Sequence, residues 1–142
     1  MIIDANNMIV GRMATFAARK ALLGEKVDII NCEKAIISGR KKSVCYKYLY
    51  RARETGGPRK GPFVSRLPDR FVRRIVKGML PLDKTRGREA YKRVMCYIGV
   101  PEEFKGKPTE KIYKADVSKL TTLKKVSIGE ICRYMGGNWY DL

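Results

Sequence analysis

Eleven of the fourteen arginines in this 142-residue chain fall between Arg40 and Arg93. Arginine presents a planar fork that grips phosphate through two parallel hydrogen bonds and stacks on flat rings, whereas lysine acts as a hydrated point charge. The same stretch holds 18 Lys and Arg against four acids (Glu54, Asp69, Asp83 and Glu89), a net of +14. Residues 1–39 carry a net of +1 and residues 94–142 a net of +2, so nearly all of the formal +17 sits in one insert between quiet flanks. Like charges packed this densely repel one another and disfavour the compact state, which points to a compensating polyanion outside the chain. Tyrosines at 46, 48, 50 and 91 are interleaved with the cations, and rings of this kind stack on unpaired bases. Core packing is the expectation for most of them, and Tyr48 is the one expected to face outward. No two-sided motif for reading base edges is present, so RNA shape and backbone are the expected targets.

Other chemistries find little support. The chain contains no His, the commonest general acid or base, and its four cysteines (Cys32, Cys45, Cys96, Cys132) show no metal-ligand spacing. They read as small buried hydrophobes in a reducing compartment. Gly11-Arg12 at a strand–helix junction raises the thought of a nucleotide site, but neither a dinucleotide fingerprint nor a phosphate-binding loop accompanies it. No cofactor, metal or small-molecule substrate is expected. Apolar runs are only a few residues long and the first residues lack the pattern of a signal peptide, so no membrane partner and an intracellular location are expected. Hydrophobic residues at 44% are enough for a real core, and the length fits one domain spanning 1–142.

The elements that position the cations can be read in turn. Ile2–Ala5 reads as a strand. Val10, Met13, Ala14, Ala17 and Ala21 form a helical stripe that Gly24 ends, and 27–32 is a second strand. Strand, helix and strand in about thirty residues make a βαβ unit, which implies parallel pairing. Residues 35–38 are either a short strand or a tight turn. Arg40, Lys41 and Lys42 lead into a helix over 43–52, for which a strand is the competing assignment; Cys45, Tyr46, Leu49 and Ala52 would share one face, and Lys47, Tyr48 and Arg51 the other. After Arg53, the Gly- and Pro-rich stretch 54–68 carries Arg59, Lys60 and Arg66 along what looks like an extended arm, expected to be unordered without RNA.

Residues 70–80 give the sharpest pattern. Phe71, Val72, Ile75, Val76, Met79 and Leu80 fill one half of a helix, Arg70, Arg73, Arg74 and Lys77 the other, with Asp69 as N-cap and Pro81 as stop. A merely solvated face would mix in acids, so this one is expected to meet RNA. Lys84, Arg86 and Arg88 belong to a second basic helix running to Arg93, followed by an apolar strand over 94–98. A Lys-rich segment without Arg covers 101–125, and Ser127-Ile128-Gly129-Glu130 is a capping box for a last helix ending at Gly136-Gly137, with Trp139 packed nearby.

The run Val76-Lys77-Gly78-Met79-Leu80-Pro81, then Gly87-Arg88, then Val94-Met95-Cys96-Tyr97-Ile98-Gly99 resembles the signature of the universal large-subunit ribosomal protein L13 family. Gly11-Arg12-Met13-Ala14, Asn31-Cys32-Glu33-Lys34 and Ile37-Ser38-Gly39 also resemble that family, and the Gly/Pro arm resembles its archaeal and eukaryotic branch. The resemblance implies a three-layer α/β/α fold around a four-stranded, mainly parallel sheet. It further implies a non-enzymatic cytoplasmic protein assembled early into the large ribosomal subunit, bound to its ribosomal RNA beside neighbouring large-subunit proteins. In this reading Gly78, Met79, Pro81, Gly87 and Gly99 are structural and the cations around them contact RNA. Two other classes compete: a free RNA-binding translational regulator, and an RNA-modifying α/β enzyme, which would need a cofactor loop and an acid/base set.

Overall fold

The computed structural model describes residues 1–57 and 59–139; Pro58, expected in the arm, lies outside them. Strand β1 (Ile2–Asp4) leads into helix α1 (Val10–Leu22), which returns the chain to β2 (Val27–Ile30). The two strands pair in parallel, Ile3 opposite Ile29, as a βαβ unit requires. β4 (Val94–Cys96) adds in parallel on the other side of β2, giving the order β1-β2-β4. Every residue of β2 is buried, as befits a central parallel strand covered on both faces.

The expected four-stranded sheet resolves into these three parallel strands and a separate antiparallel pair, β3 (Ile36–Ser38) with β5 (Lys125–Ser127). The break lies at Asn31, whose φ of 55° is a left-handed conformation that Asn tolerates better than most residues. Its side-chain amide donates to Asp4 Oδ1 at 2.9 Å and its backbone N–H to the Gly99 carbonyl at 2.8 Å. The chain then enters a 3-10 turn, Cys32–Lys34, so β2 stops at Ile30 and residues 36–38 belong to another sheet. On the free edge of β1, Glu110 forms a one-residue parallel bridge: its N–H donates to Ile2 O at 2.8 Å, and Asp4 N–H donates to its carbonyl at 3.2 Å.

The alanine-rich stripe of α1 is buried as its spacing requires, and its small side chains let α3 (Pro68–Lys77) and α4 (Thr85–Arg93) pack closely against it. α5 (Ile128–Tyr134) begins with the anticipated capping box: Ser127 Oγ accepts from Glu130 N–H and Glu130 Oε2 accepts from Ser127 N–H, each at 3.2 Å. Ile128, Ile131, Cys132 and Met135 are fully buried. All four cysteines are free and buried, and burial pushes the Cys132 thiol up to about 12. Among the described residues no helix is long and apolar enough to cross a membrane.

Candidate nucleic-acid interface

The 40–93 stretch is helical at three places, and each helix handles its charge differently. α2 (Lys41–Arg53) settles the choice between helix and strand. Its only buried residue is Cys45, with Val44, Tyr48, Leu49 and Ala52 half-buried beside it. The orientation of the tyrosines is the reverse of expectation. Tyr48 lies three residues after Cys45 and four before Ala52, which puts it on their face, and its ring meets Phe71 edge-on at 5.0 Å. Burial raises its hydroxyl pKa. Tyr46 and Tyr50, one turn apart, are the outward pair, with ring centroids 6.3 Å from each other.

Lys42, Lys47, Arg51 and Arg53 are exposed on α2, as is Arg40 just before it. Lys41 reaches Glu130 at 2.8 Å; that hydrogen bond raises the lysine pKa and lowers the carboxylate's. It links the cationic helix to the N-terminus of α5.

The arm is less extended than its composition implied. Gly57 and Gly61 form an antiparallel bridge that folds its tip back, and Arg59 and Lys60 stand exposed between them. Gly56 is needed for this: its φ is +83°, and a Cβ there would sit 1.8 Å from the Gly61 carbonyl oxygen. The returning strand of the arm is tied down at two points. Arg74 donates to the Phe63 carbonyl, and Gly137 passes so close that a Cβ would be 2.2 Å from the Arg66 carbonyl oxygen. Arg66 itself remains exposed. Between α2, the returning arm and α3 runs a groove of about 430 Å³ lined by Tyr48, Pro62, Val64, Phe71 and Ile75, with Arg51 and Arg74 also in its walls.

α3 starts two residues earlier than expected. Pro68 occupies the first turn, where its fixed φ is favourable, so Leu67 is the N-cap and Asp69 lies inside the helix without a capping bond. The acid still sits favourably near the positive end of the helix dipole. Pro68, Phe71, Val72 and Val76 are buried, Ile75 is half-buried, and Leu80 is buried beyond the helix. Met79 lies two residues beyond the last helical residue, Lys77, and is 39% exposed, with its sulfur accepting from Thr15 Oγ at 3.5 Å. It is therefore no part of the buried stripe.

The four cations of α3 divide. Arg70 and Lys77 point into solvent. Arg73, expected to face RNA, is turned inward: its Nε donates to the Val94 carbonyl at 3.1 Å and its guanidinium stacks 4.6 Å from the Tyr91 ring centroid. This cation joins α3 to β4 and α4. The reason is reach, since Arg73 is one residue after the buried Val72 and lies at the boundary of the two faces.

The α3–α4 connection accounts for much of the signature spacing. Gly87 is buried in the first turn of α4, and a Cβ there would lie 2.0 Å from the Pro81 carbonyl oxygen. Arg88 clasps the same turn, Nε donating to Leu82 O at 2.9 Å and Nη2 to Asp83 O at 3.4 Å. Gly99 has φ +63°, and its N–H donates to Glu33 Oε2 at 3.0 Å. Gly78, at φ −66°, has only ordinary contacts around a hypothetical Cβ, so nothing in the local geometry demands glycine there. Lys84 and Arg86 are exposed. Lys92, which the sequence reading passed over, is exposed alongside them, whereas Arg93 is held by Glu89 at 3.6 Å and by the Ala21 carbonyl at 3.3 Å.

Among the described residues, Lys41–Glu130 and Arg93–Glu89 are the ion pairs that this stretch makes. Sixteen of the eighteen basic side chains are exposed and almost without acids, on a surface that also carries Tyr46 and Tyr50. Such a surface attracts polyanions, and its arginines and rings suit phosphates and bases. Among the described residues no group of three or more His, Cys, Asp or Glu is placed to hold a metal.

Comparison with known proteins shows the family. The model of the family described as ribosomal protein L13 matches residues 1–103. Three archaeal proteins, each named large ribosomal subunit protein uL13, align over nearly the whole chain. That of Methanopyrus kandleri is 44% identical, covering 95% of this chain and 86% of its own. That of Archaeoglobus fulgidus is 41% identical with the same coverages, 95% and 86%. That of Methanosarcina barkeri is 40% identical over 97% of this chain and 99% of its own. A family match over most of the chain, with the signature residues built into the α3–α4 turn and the Gly99 turn, establishes that this chain belongs to the ribosomal protein L13 family.

Proposed function

We propose that this protein is a structural, non-catalytic constituent of the large ribosomal subunit. In this reading residues 1–142 act as one domain whose insert at 40–93 binds and helps organise large-subunit ribosomal RNA. The observation that carries the reading is the shortage of acids around the basic insert, where among the described residues 18 cations share two ion pairs. The protein works in the cytoplasm, within the ribosome and against neighbouring large-subunit proteins. Its RNA contacts come from Arg40, Lys42, Lys47, Arg51 and Arg53 around α2, from Arg59, Lys60 and Arg66 on the arm, and from Arg70, Lys77, Lys84 and Arg86 beyond it. Lys41, Arg73, Arg74 and Arg88 instead hold the frame together, each through a partner in the fold.

The test is retention. Large subunits carrying the protein are washed through rising salt, and the protein is expected to stay bound at moderate salt. Recovery of most of it free in those fractions would overturn the reading. With purified chain and ribosomal RNA, affinity should fall by several decades between low and moderate salt if about six to ten cations meet phosphates.

A further inference from the structure

The near-neutral flanks conceal a second cationic site. Residues 113–115, a 3-10 turn, lie against the exposed side of α1 and enclose with it a groove of about 790 Å³. Its walls carry Arg12 and Arg19 from α1, and Lys114 and Lys119 from the facing segment. Phe16 and Tyr113 are its rings, and among the described residues no acid lines it. Residues 1–39 and 94–142 each look quiet in sequence because acids along them offset the bases; of these, Asp116 follows Ala115 but accepts from Ser118 N–H and lines a neighbouring groove. Folding brings the basic part of one flank against the basic part of the other.

The groove is built rather than incidental. Ile9 N–H donates to Ala115 O at 2.7 Å, and Val117 N–H donates to Asn7 O at 3.0 Å, clamping the facing segment to the start of α1. Arg12 Nη1 donates to the Lys114 carbonyl at 3.2 Å across the groove. Tyr113 is 74% exposed, unusual for a tyrosine that serves packing alone. Lys119 fixes it: Nζ lies 2.7 Å from the tyrosine hydroxyl and 4.1 Å from the ring centroid. An ordered, solvent-facing ring among four cations suits a base with its phosphates. An acidic peptide would use the cations and leave the exposed ring without a task.

Resting on the reading that this chain meets ribosomal RNA, we propose that this groove holds an unpaired nucleotide segment of that RNA. The base stacks on Tyr113, and Arg12, Arg19 and Lys114 take the adjoining phosphates. It is a contact separate from the 40–93 insert, and its facing wall lies beyond residues 1–103 matched by the family model.

The test uses the full-length chain, a short oligouridylate containing 4-thiouridine, ultraviolet crosslinking and mass-spectrometric mapping of the joined peptides. Crosslinks are expected at Tyr113 or Phe16 as well as on the basic insert. Tyr113→Ala should cut the groove crosslinks about tenfold while leaving those on the insert, and Tyr113→Phe should hold them within roughly twofold. An excess of polyglutamate of similar charge should not displace them selectively. Crosslinks confined to the insert would overturn this inference alone, whereas none anywhere would overturn it together with the proposed function. Equal loss in the Phe and Ala variants, or selective displacement by polyglutamate, would also overturn it. Because Tyr113 is exposed, an unchanged thermal unfolding midpoint is expected for both variants.

Discussion

Helices α2 and α3 belong to the same basic insert, touch through Tyr48 and Phe71, and handle their charge differently. α3 buries Pro68, Phe71, Val72 and Val76 and turns Arg73 back into the protein. α2 buries Cys45 alone and presents Lys42, Lys47, Arg51 and Arg53 to solvent. Their sequences are about equally basic, yet α3 behaves as scaffold and α2 as a carrier of free charge. Positive charge therefore does not by itself mark a contact with RNA. What separates the two is whether each cation already has a partner in the fold, and that depends on how deeply its helix is anchored.

The largest effect should come from removing the anchor. Phe71→Ala deletes a ring that packs in the core and against Tyr48, and should lower unfolding free energy by about 3–5 kcal/mol in a denaturant titration. Because it also removes the edge-on contact to α2, the variant should loosen both helices. Gly87→Ala drives a methyl into the Pro81 carbonyl, and a loss near the top of about 1–3 kcal/mol is expected by the same measurement. A neutral result at either position would dissolve the distinction between scaffold and carrier.

Arg73→Ala is the sharper probe, since composition alone groups it with the RNA-facing cations. The loss of its bond to Val94 O and of its stack on Tyr91 should cost about 1–2 kcal/mol of stability. By contrast, Lys47→Ala and Arg51→Ala should each leave stability within about 0.5 kcal/mol.

The smallest effect concerns pH. Glu130 has a lowered pKa, through Lys41 first and the Ser127 cap after it, so its contribution is full above the unfolded carboxylate value and disappears as pH falls through the folded one. Lys41 has a raised pKa, so its share is full below the unfolded lysine value and is lost as pH rises through the folded one. The bridge between α2 and α5 should thus fail at both extremes, and Glu130→Gln should flatten the acid limb of a stability–pH curve.

Much of the scaffold was legible because it rests on period and on local chemistry. The stripe from Val10 to Ala21, the left-handed Gly24 and the Ser127–Glu130 cap each dictate their own geometry within a few residues. The sheet was harder. Nothing in residues 27–38 announces that Asn31 will turn left-handed, because its bonds to Asp4 and Gly99 are long-range. The same limit governs the site. Tyr48 neighbours Lys47 and Arg51 in sequence, yet its spacing to Cys45 and Ala52 puts it on the packed face. Arg73 is held by residues about twenty positions away, which no pattern within α3 reveals. The groove around Tyr113 has no signature in the sequence, because two weakly charged flanks form it only after folding.

The division of labour between the two helices is tested most directly by the salt dependence of binding to large-subunit ribosomal RNA, measured for wild type and a Lys42→Ala, Lys47→Ala, Arg51→Ala triple variant. If α2 carries free charge to phosphates, the slope of log affinity against log salt should become shallower by about 2 to 3. The unfolding midpoint should stay where it is. An unchanged slope, or a midpoint that drops with it, would contradict the assignment.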